Sequence, residues 1–449
     1  MITEIKNTFK SFWFYAFLLV SALVITVFNL EVYGVILFVL IISVILVLSD
    51  DIMDTTCPFL ILCAFVSICY NSFDTFIKLA PLAIIPCGAL IYHYIKYKGV
   101  FKVGYSMNGI VAVALAVTLG GFGRITSDEY FSGSSLFYTL GLGVGMIALY
   151  LMFKSQIAKD GADAKVQKER FALFMYLMGM VACAVVLCVY LRNFEDFWKE
   201  KDFLVFHSRN NYATYLMLAM PFPCYFALKN RAHLLSLALI FGCILLTNSR
   251  GGLIFGAIEF LICIVYIFVY DKAHRKFYGI VSALLVVGLI ALAVPIFSMY
   301  AKRFVDGELI TNTESRWNLL LRSVEDFKSS PIFGVGLGYN GNVDIYNPVK
   351  GAMNWYHMMI PQIVGSMGLV GVAAYGYQAF GRFKIWLRSK NSLNTALFLS
   401  YIGLLLMSQV NPGEFCPLPY EFLAVMIFAL LEIDYEKTRS QKSEVNPKV

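Results

Sequence analysis

Apolar residues fill long blocks of this chain, and polar residues are confined to the stretches between them. The blocks lie near 12–29, 31–48, 57–73, 76–95, 105–120, 134–153 and 171–191, then near 211–228, 232–247, 251–270, 279–298, 357–379, 393–410 and 416–433. Most approach the ~20 mainly apolar residues needed to cross a bilayer as a helix. A helix satisfies its backbone N–H and C=O groups internally, as lipid demands, and there it can be apolar all round. The pattern predicts an all-α polytopic membrane protein of about 14 transmembrane helices, with 12–14 as the range.

The one long polar interruption spans about residues 299–356. It is too long for a simple connector, and loops of this length tend to carry function. Thr311 and Glu314 have capping-box spacing, and Trp317, Leu320, Leu321, Val324 and Phe327 then repeat at helical spacing until Pro331. This predicts an amphipathic helix lying on the membrane or over a cavity. The alternative is a solvent-facing helix packed on its own loop.

Composition agrees with the pattern. The chain is 59% hydrophobic and 14% charged, against roughly 25% charged in a typical soluble domain. The net charge of +7 then reports loop topology, and no basic run is dense enough to indicate nucleic acid. A cytoplasmic N-terminus places most of the 36 lysines and arginines in inner loops: Lys6 and Lys10, Tyr94–Lys102, Lys154–Arg170, Lys229–His233, Asp271–Lys276, Gly381–Asn391 and the C-terminal tail. The inner loop Ser49–Thr56 departs from this rule, with three Asp and no base. No small-residue cleavage site follows the first apolar block, so residues 12–29 read as a retained span. Most of the ten cysteines sit in apolar blocks without CxxC or zinc spacing and read as packing residues.

Four groups of polar residues fall on the outer face. They are Ser208–Ala213, Thr247–Gly252, Ser315–Trp317 with Gly334, Gly336 and Gly338 behind it, and His357. Arg250 sits in a very short connection between two apolar spans, where a tight turn needs no arginine. The glycines Gly251 and Gly252 would let a ligand approach the backbone at a helix N-terminus, which favours anions. The alternative is an arginine snorkelling to headgroup phosphates. Arg209 and Arg316 read singly as interfacial arginines. Three guanidinium forks on one face, however, suit a diphosphate. His357 could accept a proton from an attacking hydroxyl, or it could be a structural interfacial histidine. His207 lies outside beside Arg209, while His93, His233 and His274 lie in inner loops. The Gly334–Gly338 run follows no strand of a βαβ unit and reads as a flexible loop over a site. Nothing in the spacing of the outer acids Asp128, Glu129, Glu195, Asp196, Asp306 and Asp344 singles out a cation site.

From Phe206 to Phe380 these pieces resemble, in order, the O-antigen ligase and Wzy-type polysaccharide polymerase superfamily. Arg209-Asn210-Asn211-Tyr212-Ala213 is similar to its R-N-x-[FY]-A stretch, and Ser249-Arg250-Gly251-Gly252 matches its S-R-G-G signature. Arg316-Trp317 followed by Pro331–Gly338 resembles the segment before the family histidine. His357, Gln362, Gly368 and Gly371 fall at the offsets of H-N-x-x-L-Q-x-x-x-E-x-G-x-x-G, with Met358 in place of Asn and Ser366 in place of Glu.

The resemblance implies a metal-independent, inverting glycosyltransferase without a cofactor, of GT-C-like fold, in the bacterial cytoplasmic membrane. It would move an undecaprenyl-diphosphate-linked glycan to a hydroxyl of a glycan or glycolipid acceptor on the outer face. His357 would be the base, and Arg209, Arg250 and Arg316 would bind the diphosphate. Asn211, Ser249, Gly251, Gly336 and Gln362 would support them. The chain then divides into N-terminal spans (1–205), a catalytic region (206–380) containing the outer loop, C-terminal spans (381–433) and a cytoplasmic tail (434–449). The leading alternative is a transporter or flippase of lipid-linked sugars, in which inverted repeats and mid-membrane polar residues are expected. A peptidoglycan polymerase of the shape, elongation and division type would rely instead on an outer carboxylate such as Asp306 or Asp344.

Overall fold

A computed structural model describes residues 2–68, 78–98, 101–120, 133–157, 163–195, 204, 208–281, 283–284, 287–288, 308–339, 355–411, 413–415 and 418–445. Among these residues there is no strand. The helices are α1 (Ile2–Phe9), α2 (Phe12–Val27), α3 (Glu31–Leu48), α4 (Thr56–Ile68), α5 (Ile84–Lys96), α6 (Ser106–Gly120), α7 (Gly133–Leu140), α8 (Met146–Ile157) and α9 (Ala164–Arg192). They continue with α10 (Arg209–Ala219), α11 (Pro221–Ala227), α12 (His233–Leu246), α13 (Arg250–Tyr270), α14 (Glu308–Ser329), α15 (Met359–Arg388), α16 (Ser392–Met407) and α17 (Pro419–Val445). Among the described residues, five helical stretches are long and apolar enough to cross a membrane: α3, the joined α7–α8 from Ser135, α9, α13 and α15. The apolar helices α2, α6, α12 and α16, and the stretch Ile52–Ile68, are shorter.

The apolar blocks of the sequence thus become helices wherever they are described. The block near 279–298 falls largely outside the described residues, as do His207, Asp306 and Asp344. The expected start of the outer-loop helix at Thr311 is corrected: α14 begins at Glu308 and runs through the capping-box pair.

Small residues allow the helices to approach closely, as is usual where hydrocarbon surrounds a bundle. A Cβ on Gly179 of α9 would lie 2.4 Å from that of Ala219 on α10, and one on Gly109 of α6 would lie 3.0 Å from the Gln378 backbone of α15.

One end of the bundle is stitched by opposite charges. Lys6 meets Asp50 at 3.2 Å, and Arg170 binds Asp51 at 3.0 Å and also Asp54. Lys154 meets Glu432 at 3.0 Å and Glu436 at 2.9 Å, while Lys168 meets Asp434 at 2.7 Å. The acidic Ser49–Thr56 segment is therefore neutralised by bases from the N-terminus and from α9, which explains its departure from the loop-charge pattern. These contacts bring the N-terminal helix, the start of α9 and the C-terminal half of α17 to the same end. Arg209 and Arg250 begin α10 and α13 at the other.

Candidate active site

α15 is broken where it approaches the outer loop. Gly368 has φ 58° and ψ −150° inside an otherwise helical run. The break takes the carbonyls of Gly365 and Ser366, and the N–H groups of Leu369 and Val370, out of the α-helical ladder. The segment after α14 accepts and donates in their place. Val335 N–H donates to Gly365 (3.0 Å) and Gly336 N–H to Ser366 (2.9 Å), while Leu369 and Val370 donate to Pro331 (2.9 Å) and Ile332 (3.0 Å). A break inside a helix of this kind persists where other protein groups satisfy the freed backbone.

A Cβ at Gly334 would lie 2.2 Å from the Ser366 carbonyl carbon, and one at Gly368 would lie 2.6 Å from the Pro331 oxygen. Both glycines also have positive φ. The expectation of a flexible glycine loop over the site is therefore corrected. The run is pinned backbone-to-backbone against α15, and Gly336 serves through its N–H.

This pinning delivers His357 to the site. His357 has φ 55°, a conformation L-residues rarely take, costing roughly 1–3 kcal/mol where it is enforced. Its neighbours do the enforcing. Buried Gln362 accepts from Tyr356 N–H at 3.1 Å and donates to Ser366 Oγ at 2.8 Å, while Met359 N–H donates to the Ser408 carbonyl at 2.8 Å. Tyr356 is held from behind: its hydroxyl donates to Asp326, and the Arg322 guanidinium lies 4.8 Å from its ring centroid and 3.4 Å from Asp326. The sequence reading missed Arg322 and Asp326. Their one signal was two charges at i, i+4 within the outer-loop helix.

Arg209 and Arg250 are the first residues of α10 and α13. Each helix is entered through a left-handed residue, Ser208 (φ 54°) before α10 and Asn248 (φ 58°) before α13. Ser249 caps α13 by accepting from Gly252 N–H at 3.0 Å, and its hydroxyl donates to Asn210 Oδ1 at 2.7 Å, which fixes the two arginine-bearing turns to each other. Asn211 is similarly tied, donating to the Ser67 carbonyl (2.6 Å) and accepting from Asn411 (3.2 Å). The glycines of the S-R-G-G stretch are buried packing residues. A Cβ would lie 2.3 Å from Val410 at Gly251 and 2.7 Å from Ala213 at Gly252. Close helix and loop approach is sufficient to require glycine at both positions.

Arg316 joins this group from α14 and donates to the Val410 carbonyl. Its guanidinium is held below its usual range by burial and then by the charges of Arg250 and Arg209. His357 sits in a recess: enough protein surrounds the ring to disfavour its protonated form, with the Arg316 charge adding to this, although the residue stays exposed to solvent. Its pKa lies below the ordinary histidine value, so at neutral pH the ring is a free base. The structure thus brings Arg209, Arg250, Arg316 and His357 together. The loop 408–411, unremarked in the sequence, contributes backbone carbonyls and Asn411. Among the described residues no group of three or more His, Cys, Asp and Glu could hold a metal ion.

Residues 235–376 match the family model for O-antigen ligase. The match contains Ser249–Gly252, Arg316, the Pro331–Gly338 segment, His357 and Gln362, and it supports the superfamily resemblance drawn from the motifs. It also supports an O-antigen-ligase-like role in glycan assembly. Arg209 and Asn211 precede the matched segment, and the Ser249–Asn210 bond connects their helix to it. No curated protein is significantly similar to the chain.

Proposed function

We propose that this protein is a membrane glycosyltransferase that moves a polyprenyl-diphosphate-linked glycan to an acceptor hydroxyl, as an O-antigen ligase or a repeat-unit polymerase. The observation that carries the reading is convergence: the Ser249–Asn210 bond joins the turns that bear Arg209 and Arg250, and Arg316 donates to Val410, the residue against which Gly251 packs, with His357 close enough to feel the Arg316 charge. Guanidinium groups converging on one place attract an anion whose charge is spread over several oxygens. The diphosphate of the donor is such an anion, and guanidinium forks match its spread oxygens.

In this reading His357 takes the proton of the acceptor hydroxyl as that oxygen attacks the anomeric carbon. The bond from that carbon to the diphosphate oxygen breaks, and the polyprenyl diphosphate departs with one more negative charge. Arg209, Arg250 and Arg316 stabilise that charge as it develops, the kind of placement that contributes most to rate. Attack opposite the leaving group inverts the anomeric centre. The reading also includes a GT-C-like bundle of about 14 spans, cytoplasmic termini and a site on the outer face of a bacterial cytoplasmic membrane.

Deleting the gene in its host and sizing the glycan left on the carrier tests it. Accumulated single repeats would identify a polymerase and accumulated long chains a ligase. An unchanged carrier pool would contradict both.

A further inference from the structure

α14 is turned inside out. Its buried side carries Arg322, Ser323 and Asp326 beside Leu319, whereas Trp317, Leu321 and Val324 are 59%, 41% and 39% exposed. Those three recur at i, i+4 and i+7, which places them on one face of the helix. The apolar repeat in the sequence suggested a helix laid by this face on the membrane or over a cavity. The polar face is the packed one because it has specific partners: Arg322 donates to the Tyr339 carbonyl, and Asp326 accepts from Tyr356. An outward apolar face of this kind is stable against hydrocarbon and wasteful against water.

The stripe begins one residue from Arg316, which shares its field with Arg209 and Arg250. At 1.5 Å per residue it runs for about 10 Å along α14. Beyond the helix end, Ile332 and Phe333 are also exposed. A ligand with a diphosphate joined directly to one hydrocarbon chain meets these features in order, the anion at the arginines and the chain along the stripe. A phospholipid fits less well, because its single phosphate under-uses three guanidinium groups and its paired chains are broader than one row of side chains.

We infer that the Trp317–Leu321–Val324 face of α14 seats the first isoprene units of the donor's polyprenyl tail, so that a single helix reads both the diphosphate and its lipid. This rests on the glycan-transfer reading above. The helix then contributes to donor selection by chain as well as by charge, and a donor too short to reach Leu321 forfeits that contribution.

The test uses the full-length protein in lipid nanodiscs with two synthetic donors bearing the same glycan, one on undecaprenyl diphosphate and one on dimethylallyl diphosphate. The readout is the ratio of the two KM values, short over long. In the Leu321→Gln/Val324→Gln protein this ratio is expected to fall about tenfold, because the long donor loses its apolar seat while the short one never reached it. Trp317→Ser, which leaves the other two residues in place, is expected to lower the ratio by a smaller factor and provides a second variant if the first does not fold. An unchanged ratio in a folded variant would overturn the seat, as would equal losses on both donors, which would mean that the substitutions act by disturbing the site. Failure of the wild-type protein to use either donor would instead overturn the transfer reading, and the seat with it.

Discussion

The two ends of the bundle handle charge in opposite ways. At one end, buried or half-buried bases find carboxylates: Lys154 with Glu432 and Glu436, Lys168 with Asp434, Arg170 with Asp51 and Asp54. At the other, Arg316 lies in the field of two further arginines, beside a histidine kept neutral. Among the described residues, three of the five left-handed non-glycine residues, Ser208, Asn248 and His357, stand at or within two positions of a proposed site residue; the other two are Asn29 and Lys98. Opposite charges in contact need no ligand to explain them, whereas strained backbone of the kind at Ser208, Asn248 and His357 concentrates where a site is pre-organised.

The comparison breaks first at His357. His357→Gln is expected to lower the transfer rate by about 10²–10⁴-fold, the usual worth of a positioned base, while the protein is produced and melts normally. Next, Arg316→Gln should cost about 10²–10³-fold in turnover, the loss typical of removing one group that stabilises developing charge. Arg316→Lys should recover only part of this, because an ammonium cannot reproduce the fork.

A smaller effect concerns pH. Burial and the Arg316 charge favour the neutral His357 ring, so its folded pKa lies below 6.5. Activity should therefore be flat near neutrality and fall only as pH drops through that lowered value. Residual activity of Arg316→Gln should show the acid limb moved up toward the ordinary histidine range, because one cause of the depression has gone; a limb that stays put or moves down would contradict the pairing. The smallest effect on chemistry is expected at the other end. Lys168→Met leaves Asp434 without its ammonium, which should lower stability by about 1–3 kcal/mol, less than for a fully buried pair because Asp434 is partly exposed and keeps its bond from Asn394. The turnover of the protein that stays folded should be unchanged, and thermal melting alongside the transfer assay separates the two.

Much of this was legible in the sequence because lipid imposes one strong rule. An apolar block must become a helix, so the helix positions followed from hydropathy alone. The site arginines were legible for the related reason that a charge beside an apolar span is expensive unless used. Three things were not. The break at Gly368 depends on which backbone runs beside it, and glycine is common enough in membrane helices to give no warning. The contributions of Val410 and Ser408 are made by carbonyl oxygens, which leave no trace in residue type. The partners of α14 were the third, because its apolar repeat placed the helix on the membrane or over a cavity and said nothing of what the other side would bind. The polar face was decided by partners far along the chain, as with Tyr356 and Asp326. A fourth feature, the buried Arg382 held by Tyr401 (2.9 Å), Glu414 (3.1 Å) and Glu421 (2.5 Å), ties α15 to α16, to α17 and to the connection between them. In sequence it looked like one more inner-loop base.

The central claim is that the arginine-rich end holds a lipid diphosphate for displacement by a His357-activated hydroxyl. The most direct measurement is release of polyprenyl diphosphate from a synthetic glycan donor by the purified protein in proteoliposomes, wild type against His357→Gln. The account predicts that wild-type protein releases one polyprenyl diphosphate for each glycan joined to acceptor, and that His357→Gln binds the donor with little change yet releases almost none. Equal release by the two proteins, or passage of intact donor across the bilayer without release, would contradict it.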